Sequence, residues 1–167
     1  MNKEKTLSGE VSIIGDKSIS HRSIIFGSIA EGISEFSNVL ISGDTTATIE
    51  IFSSLGVNIE ISDQNSVVIH GVGLHGLSKS KNALNAKSSG TTARLLTGLL
   101  ARQNFSSELI GSSQLTKRPM GRVINLFNEH GSRISSNEGY LPLRFETAKT
   151  SFNSINTIVP SLSLIHI

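Results

Sequence analysis

The sequence has 167 residues, 37% of them hydrophobic, with 15 Lys and Arg against 13 Asp and Glu and a pI near 9.1, which suits one ordinary domain or two small ones. There is no cysteine, so disulfides, thiolate metal sites and a cysteine nucleophile are excluded. Aromatics make up 5% and the basic residues form no long stripe, so a small anionic ligand fits better than nucleic acid. No segment approaches the roughly 18 apolar residues of a membrane span, and "MNKEKTLSGE" lacks the apolar core of a secretory signal. A cytoplasmic protein without a membrane partner is expected.

In chain order, "VSIIG" is the first expected strand. "SHRSIIFGSIAEG" then places Ile24, Ile25, Ile29 and Ala30 at helical spacing and closes on Gly32, which predicts a short amphipathic helix. "FSNVLIS" is strand-like. "GDTTATIEIFSSLG" predicts a second helix, with Asp44 or Thr45 as N-cap, a stripe of Ile49, Phe52 and Leu55, and Gly56 as the residue just past its end. "VNIEIS" and "SVVIHG" flank "DQN" as a hairpin.

The order then recurs. "NALNA" is a weak strand, and "SSGTTARLLTGLLARQ" is a helix with Leu95, Leu96, Leu99 and Leu100 on one side. "SSELIGS" is strand-like, "KRPMGRVINLFNEHG" is a helix through Met120, Val123, Ile124 and Phe127, and "SRISS" and "YLPLRFE" close a hairpin. Ser18 and Ser89 stand 71 positions apart, as do Ala30 and Ala101. The expected fold is therefore α/β (α+β) with a duplicated βαβαββ unit, over residues 16–78 and 79–148. Residues 1–15 form an N-terminal strand region, and 149–167 begin a third copy that stops in the mostly apolar "LSLIHI".

A helix N-terminus offers unpaired N–H groups and the positive end of the macrodipole, so it binds anions, and a nearby cation strengthens it. Three of the four helix starts carry such groups. In "DKSISHR", Lys17 and Ser18 sit at the cap and Arg22 leans back from one turn on. In "KSSGTTAR", Gly90 admits a ligand close to the backbone, with hydroxyls of Ser88, Ser89, Thr91 and Thr92 around it. In "TKRPMGR", Pro119 suits the first helical position, with Lys117 and Arg118 just outside. "GDTTATIE" has no cation and reads as structural. Each motif alone is an ordinary cap or solvated loop; their recurrence at equivalent helices favours anion binding. No G-x-x-x-x-G-K-[ST] phosphate loop is present. His21, His70, His75, His130 and His166 have no metal-ligand spacing, and His21 is expected to pack or be solvated. Asp16, Asp44, Glu50 and Glu129 form no evident acid/base pair.

Taken together and in order, "GDKSISHRS", "SGDTTATIEIFSSLG", "SSGTTARLLTGLLA" and "LTKRPMGRVI" resemble the 5-enolpyruvylshikimate-3-phosphate synthase family. The resemblance covers roughly Leu7 to Glu146. It implies two lobes of βαβαββ units, an inside-out α/β barrel, of which this chain holds one incomplete lobe. It also implies transfer of the enolpyruvyl group of phosphoenolpyruvate to the 5-hydroxyl of shikimate 3-phosphate, with release of phosphate, in the route to aromatic amino acids. No cofactor and no metal are implied, and the family is usually monomeric. By position, Lys17, Ser18 and Arg22 would contact shikimate 3-phosphate, and Lys17, Gly90 and Arg118 would contact phosphoenolpyruvate, with Ser88, Thr91 and Ser161 as further candidates. Two departures stand out: Ser88 replaces the usual Asn, and after "TIVPS" the family's Ser-Ala-Gln or Ser-Ser-Gln stretch gives way to Leu162 and Ser163. The acid/base residues belong to the other lobe, so an N-terminal piece inactive alone is expected. The alternatives are a non-catalytic anion-binding module and a relative of UDP-N-acetylglucosamine enolpyruvyl transferase, which the lack of that enzyme's usual cysteine acid disfavours.

Overall fold

In the computed structural model of the chain, which describes residues 8–62, 65–148 and 155, helix α1 (Lys17–Ile29) starts behind Asp16, whose carboxylate accepts a hydrogen bond from the Ile19 N–H at 2.7 Å. Asp16 is therefore the N-cap, and Lys17 and Ser18 are the first helical residues rather than the cap. The helix ends at Ala30. Gly32, expected to stop it, lies inside strand β1 (Glu31–Phe36) with φ +91°. The strand thus precedes "FSNVLIS", where it was expected. Val39 of that stretch is 4% exposed and its N–H donates to Asn65 O at 2.9 Å, so the apolar run plugs the core from a loop instead of pairing.

Helix α2 (Gly43–Ser54) is capped by Ser42, not by Asp44 or Thr45. The Thr45 hydroxyl accepts from the Ser42 N–H at 2.8 Å, the reciprocal half of a capping box. Gly56 follows the Leu55 C-cap at φ +95°, as expected, in the left-handed region that terminates helices. Strands β2 (Asn58–Ile61) and β3 (Val67–Val72) form the expected antiparallel hairpin, and β3 also pairs antiparallel with β1, giving the order β1-β3-β2. Ile24, Ile51, Phe52, Leu55, Val67 and Ile69 are the buried centre of this unit. A Cβ on Gly27 would meet the Phe36 ring at 2.9 Å, so glycine lets α1 settle onto the sheet.

The opening strand expected at "VSIIG" does not form: residues 8–16 have no regular structure, and Val11, Ile13 and Ile14 are 84%, 77% and 79% exposed. Alternating apolar residues favour a strand, but a strand needs a neighbour to satisfy its amides. This segment has none among the described residues.

The chain divides into two compact units, Met1–Ser78 and Lys79–Ile167. In the second, β4 (Leu84–Asn85) runs parallel to β5 (Ser107–Ile110), and β7 (Tyr140–Phe145) pairs antiparallel with β5 and with β6 (Ile134–Asn137). The order β4-β5-β7-β6 repeats the β1-β3-β2 pattern with one parallel strand added. Leu141, Leu143 and Phe145 alternate inward along β7. Helix α3 (Gly90–Leu100) buries Thr92, Ala93, Leu96, Thr97 and Leu100. The four-leucine face is corrected accordingly: Leu95 is 46% exposed and Leu99 half-buried. Thr97 can occupy the buried face because its hydroxyl donates to Ala93 O at 2.7 Å.

A 3₁₀ turn (Leu115–Lys117) leads to helix α4 (Gly121–Glu129), whose Phe127 packs on Gly98 of α3. Pro119 is not the first helical residue as expected, because Met120 precedes the helix. Its side chain is buried and its N–H donates to Gly139 O at 2.8 Å, pinning that backbone outside the helix. No helix among the described residues is long and apolar enough to cross a membrane.

Candidate anion-binding sites

In the first unit, the start of α1 presents Lys17, Ser18 and Arg22, all exposed. Beyond the Asp16 cap, the first N–H groups of the helix have no intrahelical partner. Lys17 Nζ donates to Asp44 Oδ2 at 3.2 Å, an ion pair between side chains 52% and 32% exposed. Such a pair is worth about 1 kcal/mol or less, so a doubly charged phosphate can compete for the lysine. Ser18 and Arg22 make no side-chain hydrogen bond or ion pair among the described residues. The first turn of helix α2, read as structural, supplies this partner of Lys17. It also meets α1 below the surface, where His21 is fully buried with Nδ1 2.8 Å from Thr48 Oγ1. Burial holds the His21 imidazole below its ordinary pKa; Asp44 acts in the opposite sense and Lys17 in the same one.

In the second unit two cations lie at one helix start. Ser89, fully buried, caps α3 by accepting from the Thr92 N–H at 3.2 Å. The residue after it is Gly90. A Cβ at Gly90 would lie 2.6 Å from Arg118 Nη1 and 2.7 Å from Arg94 Nη1, so two guanidinium groups flank the first residue of a helix. Arg94 donates from Nη1 to Gly90 O at 3.3 Å and from Nη2 to Pro119 O at 3.0 Å. Its pKa is lowered, first by burial and then by the Arg118 charge. Arg118 is exposed and its guanidinium makes no hydrogen bond or ion pair among the described residues. It lies against the start of α3 and not that of α4, the helix it precedes in sequence, while Lys117 is the last residue of the 3₁₀ turn.

Around this point, the exposed Ser88 hydroxyl lies 2.9 Å from that of Ser112, and Lys87 O accepts from the Ser112 N–H at 2.7 Å, so the loops before α3 and after β5 are stapled together. Thr91 is half-buried beside Gly90. Ser161 lies outside the described residues.

Arg94 is a residue of this candidate site that the sequence reading did not single out. It stands four positions after Gly90, the same relation as Arg22 to Ser18, and helical side chains lean toward the N-terminus. That rule would have found it. Among the remaining titratable groups, His70 Nε2 faces Glu60 Oε1 at 3.4 Å and His130 Nδ1 lies 2.8 Å from Leu126 O. No cluster of three or more His, Asp or Glu able to hold a metal is present among the described residues.

The chain is thus built of two α/β units with cations beside the first turns of α1 and α3. The comparisons make this specific. The family model described as EPSP synthase (3-phosphoshikimate 1-carboxyvinyltransferase) matches residues 1–164, and the chain belongs to that family. It is 46% identical over 163 residues to the 3-phosphoshikimate 1-carboxyvinyltransferase of Vesicomyosocius okutanii, covering 98% of this chain and 37% of that one. It is 50% identical over 141 residues to the protein of the same name from Ruthia magnifica, covering 84% and 32%. A solved EPSP synthase from Acinetobacter baumannii is 39% identical, with a TM-score of 0.88, over 93% of this chain and 35% of that one. The fold is therefore that of EPSP synthase, and the chain spans about a third of the length of these relatives.

Proposed function

We propose that this chain is the substrate-anion-binding portion of a 3-phosphoshikimate 1-carboxyvinyltransferase. That enzyme transfers the enolpyruvyl group of phosphoenolpyruvate to the 5-hydroxyl of shikimate 3-phosphate and releases phosphate. The observation that carries this reading is the convergence of Arg118 and Arg94 on Gly90 at the start of α3. The free Arg118 guanidinium matches the geometry of carboxylate and phosphate, and phosphoenolpyruvate carries both. With no side chain at Gly90, an oxygen can approach the helix N-terminus directly. Ser88 and Thr91 add hydroxyl donors beside it.

In the first unit, Lys17, Ser18 and Arg22 are assigned to the phosphate of shikimate 3-phosphate, with Lys17 exchanging Asp44 for the ligand. Both substrates are anions, and fixed cations offset the cost of holding them. The same groups would stabilise charge that develops on the tetrahedral adduct. Proton transfer is assigned to residues other than these, so the chain alone is expected to bind and not to turn over. The reading entails a monomer acting on small molecules in the cytoplasm, without nucleic-acid or membrane partners, because phosphorylated substrates stay in the compartment where they are made.

Calorimetric titration tests it. Shikimate 3-phosphate should bind and lose affinity in Arg22→Ala, and phosphoenolpyruvate should bind and lose affinity in Arg118→Ala. Absence of heat with both ligands refutes the assignment, and product formed by this chain alone refutes its inactivity.

A further inference from the structure

Arg118 is held by its backbone at points of different kinds. Its N–H donates to Leu115 O at 3.0 Å, closing the 3₁₀ turn. Two residues on, Met120 is buried and bonded to Gly139 O. Neither of these two hydrogen bonds reaches α3. The link to α3 is Arg94, which spans from Gly90 O at 3.3 Å to Pro119 O at 3.0 Å, the carbonyl of the residue directly after Arg118.

We infer that Arg94 is a positioning residue: its fork ties the Arg118 segment to the first turn of α3 and so sets Arg118 over Gly90, where phosphoenolpyruvate is proposed to bind. The inference rests on the function proposed above. Its physical basis is the number of donors. A guanidinium presents donors in a fixed plane and can bridge two carbonyls at once, whereas an ammonium is a point charge that holds one geometry poorly. Carbonyl oxygens take up the two Arg94 nitrogens, so its role is to place a neighbour, and Arg118 is left as the free fork. The 3₁₀ turn and the Met120 anchor do not involve Arg94, so removing it loosens the link while leaving the fold.

A double-mutant cycle on the full chain separates this role from a general one. The variants are Arg94→Met, which keeps the half-buried stem, Arg94→Lys, Arg118→Ala and the Arg94→Met/Arg118→Ala pair. Phosphoenolpyruvate affinity is read by calorimetry, with shikimate 3-phosphate affinity and the thermal midpoint followed in parallel. Arg94→Met should weaken phosphoenolpyruvate binding about tenfold, and Arg94→Lys nearly as much despite keeping the charge. In the Arg118→Ala background, Arg94→Met should cost nothing further. Shikimate 3-phosphate affinity should stay as in the parent chain. Equal loss from Arg94→Met in both backgrounds, full rescue by lysine, or a parallel fall in shikimate 3-phosphate affinity overturns the positioning role and leaves the proposed function standing. No phosphoenolpyruvate binding by the parent chain overturns both.

Discussion

Replacing Gly90 by alanine isolates the second-unit site from the fold around it. The new Cβ would sit 2.6 Å from Arg118 Nη1 and 2.7 Å from Arg94 Nη1, well inside van der Waals contact, so both guanidinium groups must withdraw. They are the ends of flexible side chains and can do so without moving the backbone. Gly90 is the first residue of α3, where alanine gains up to about 1 kcal/mol in helix propensity. Displacing Arg94 from two carbonyls loses roughly the same again. Stability should therefore change by no more than about 1 kcal/mol, measured by urea unfolding. Binding should not escape so lightly. Losing one charge-assisted contact costs about 1.5–3 kcal/mol, or roughly ten- to hundredfold in phosphoenolpyruvate affinity. An alanine variant that binds as tightly as the parent would show that the two arginines do not act at Gly90.

Three further outcomes are expected. Phe52 is fully buried between α2 and its sheet, so Phe52→Ala should destabilise the first unit by about 3–5 kcal/mol in urea unfolding, and a loss under 1 kcal/mol would show that the site is not tightly packed. Because the folded-state pKa of His21 is lowered, the unfolded chain binds the extra proton first. Stability from this group is complete above the unfolded value near 6.5 and falls as pH drops through it. Unfolding free energies between pH 7.5 and 5.5 should show this decline, and His21→Asn should flatten it. Finally, Asp44→Asn removes the half-buried partner of Lys17; it should cost about 1 kcal/mol or less in stability and tighten shikimate 3-phosphate binding a few-fold, whereas weaker binding would mean that Asp44 helps the ligand.

Much of the fold was legible because helices and hairpins announce themselves through periodicity and end signals. The stripe of Ile49, Phe52 and Leu55, the terminating Gly56 and the closing hairpin of "SRISS" and "YLPLRFE" all survive in the structure. What misled was tertiary in origin. The run around Val39 is apolar because it fills the core from a loop, and "VSIIG" alternates without a described neighbour to pair with. Buried threonines of α3 satisfy their hydroxyls within the helix, so counting leucines put its inner face in the wrong place. The site behaved similarly. Cations at helix starts were visible in the sequence, but which helix each one serves was not. Arg118 precedes α4 and lies against α3, and Lys17 of α1 pairs with α2. Those are partnerships across the fold, which spacing along a chain does not encode.

The central claim is that each unit of this chain carries its own site for a phosphorylated anion. Amide chemical-shift mapping of the isotopically labelled chain tests it most directly. Shikimate 3-phosphate should move the amides of Lys17, Ser18 and Ile19, and phosphoenolpyruvate those of Ser89, Gly90 and Thr91, with each set saturating on its own ligand. Shifts scattered over other lysines and arginines, or none at either helix start at millimolar ligand, would contradict it.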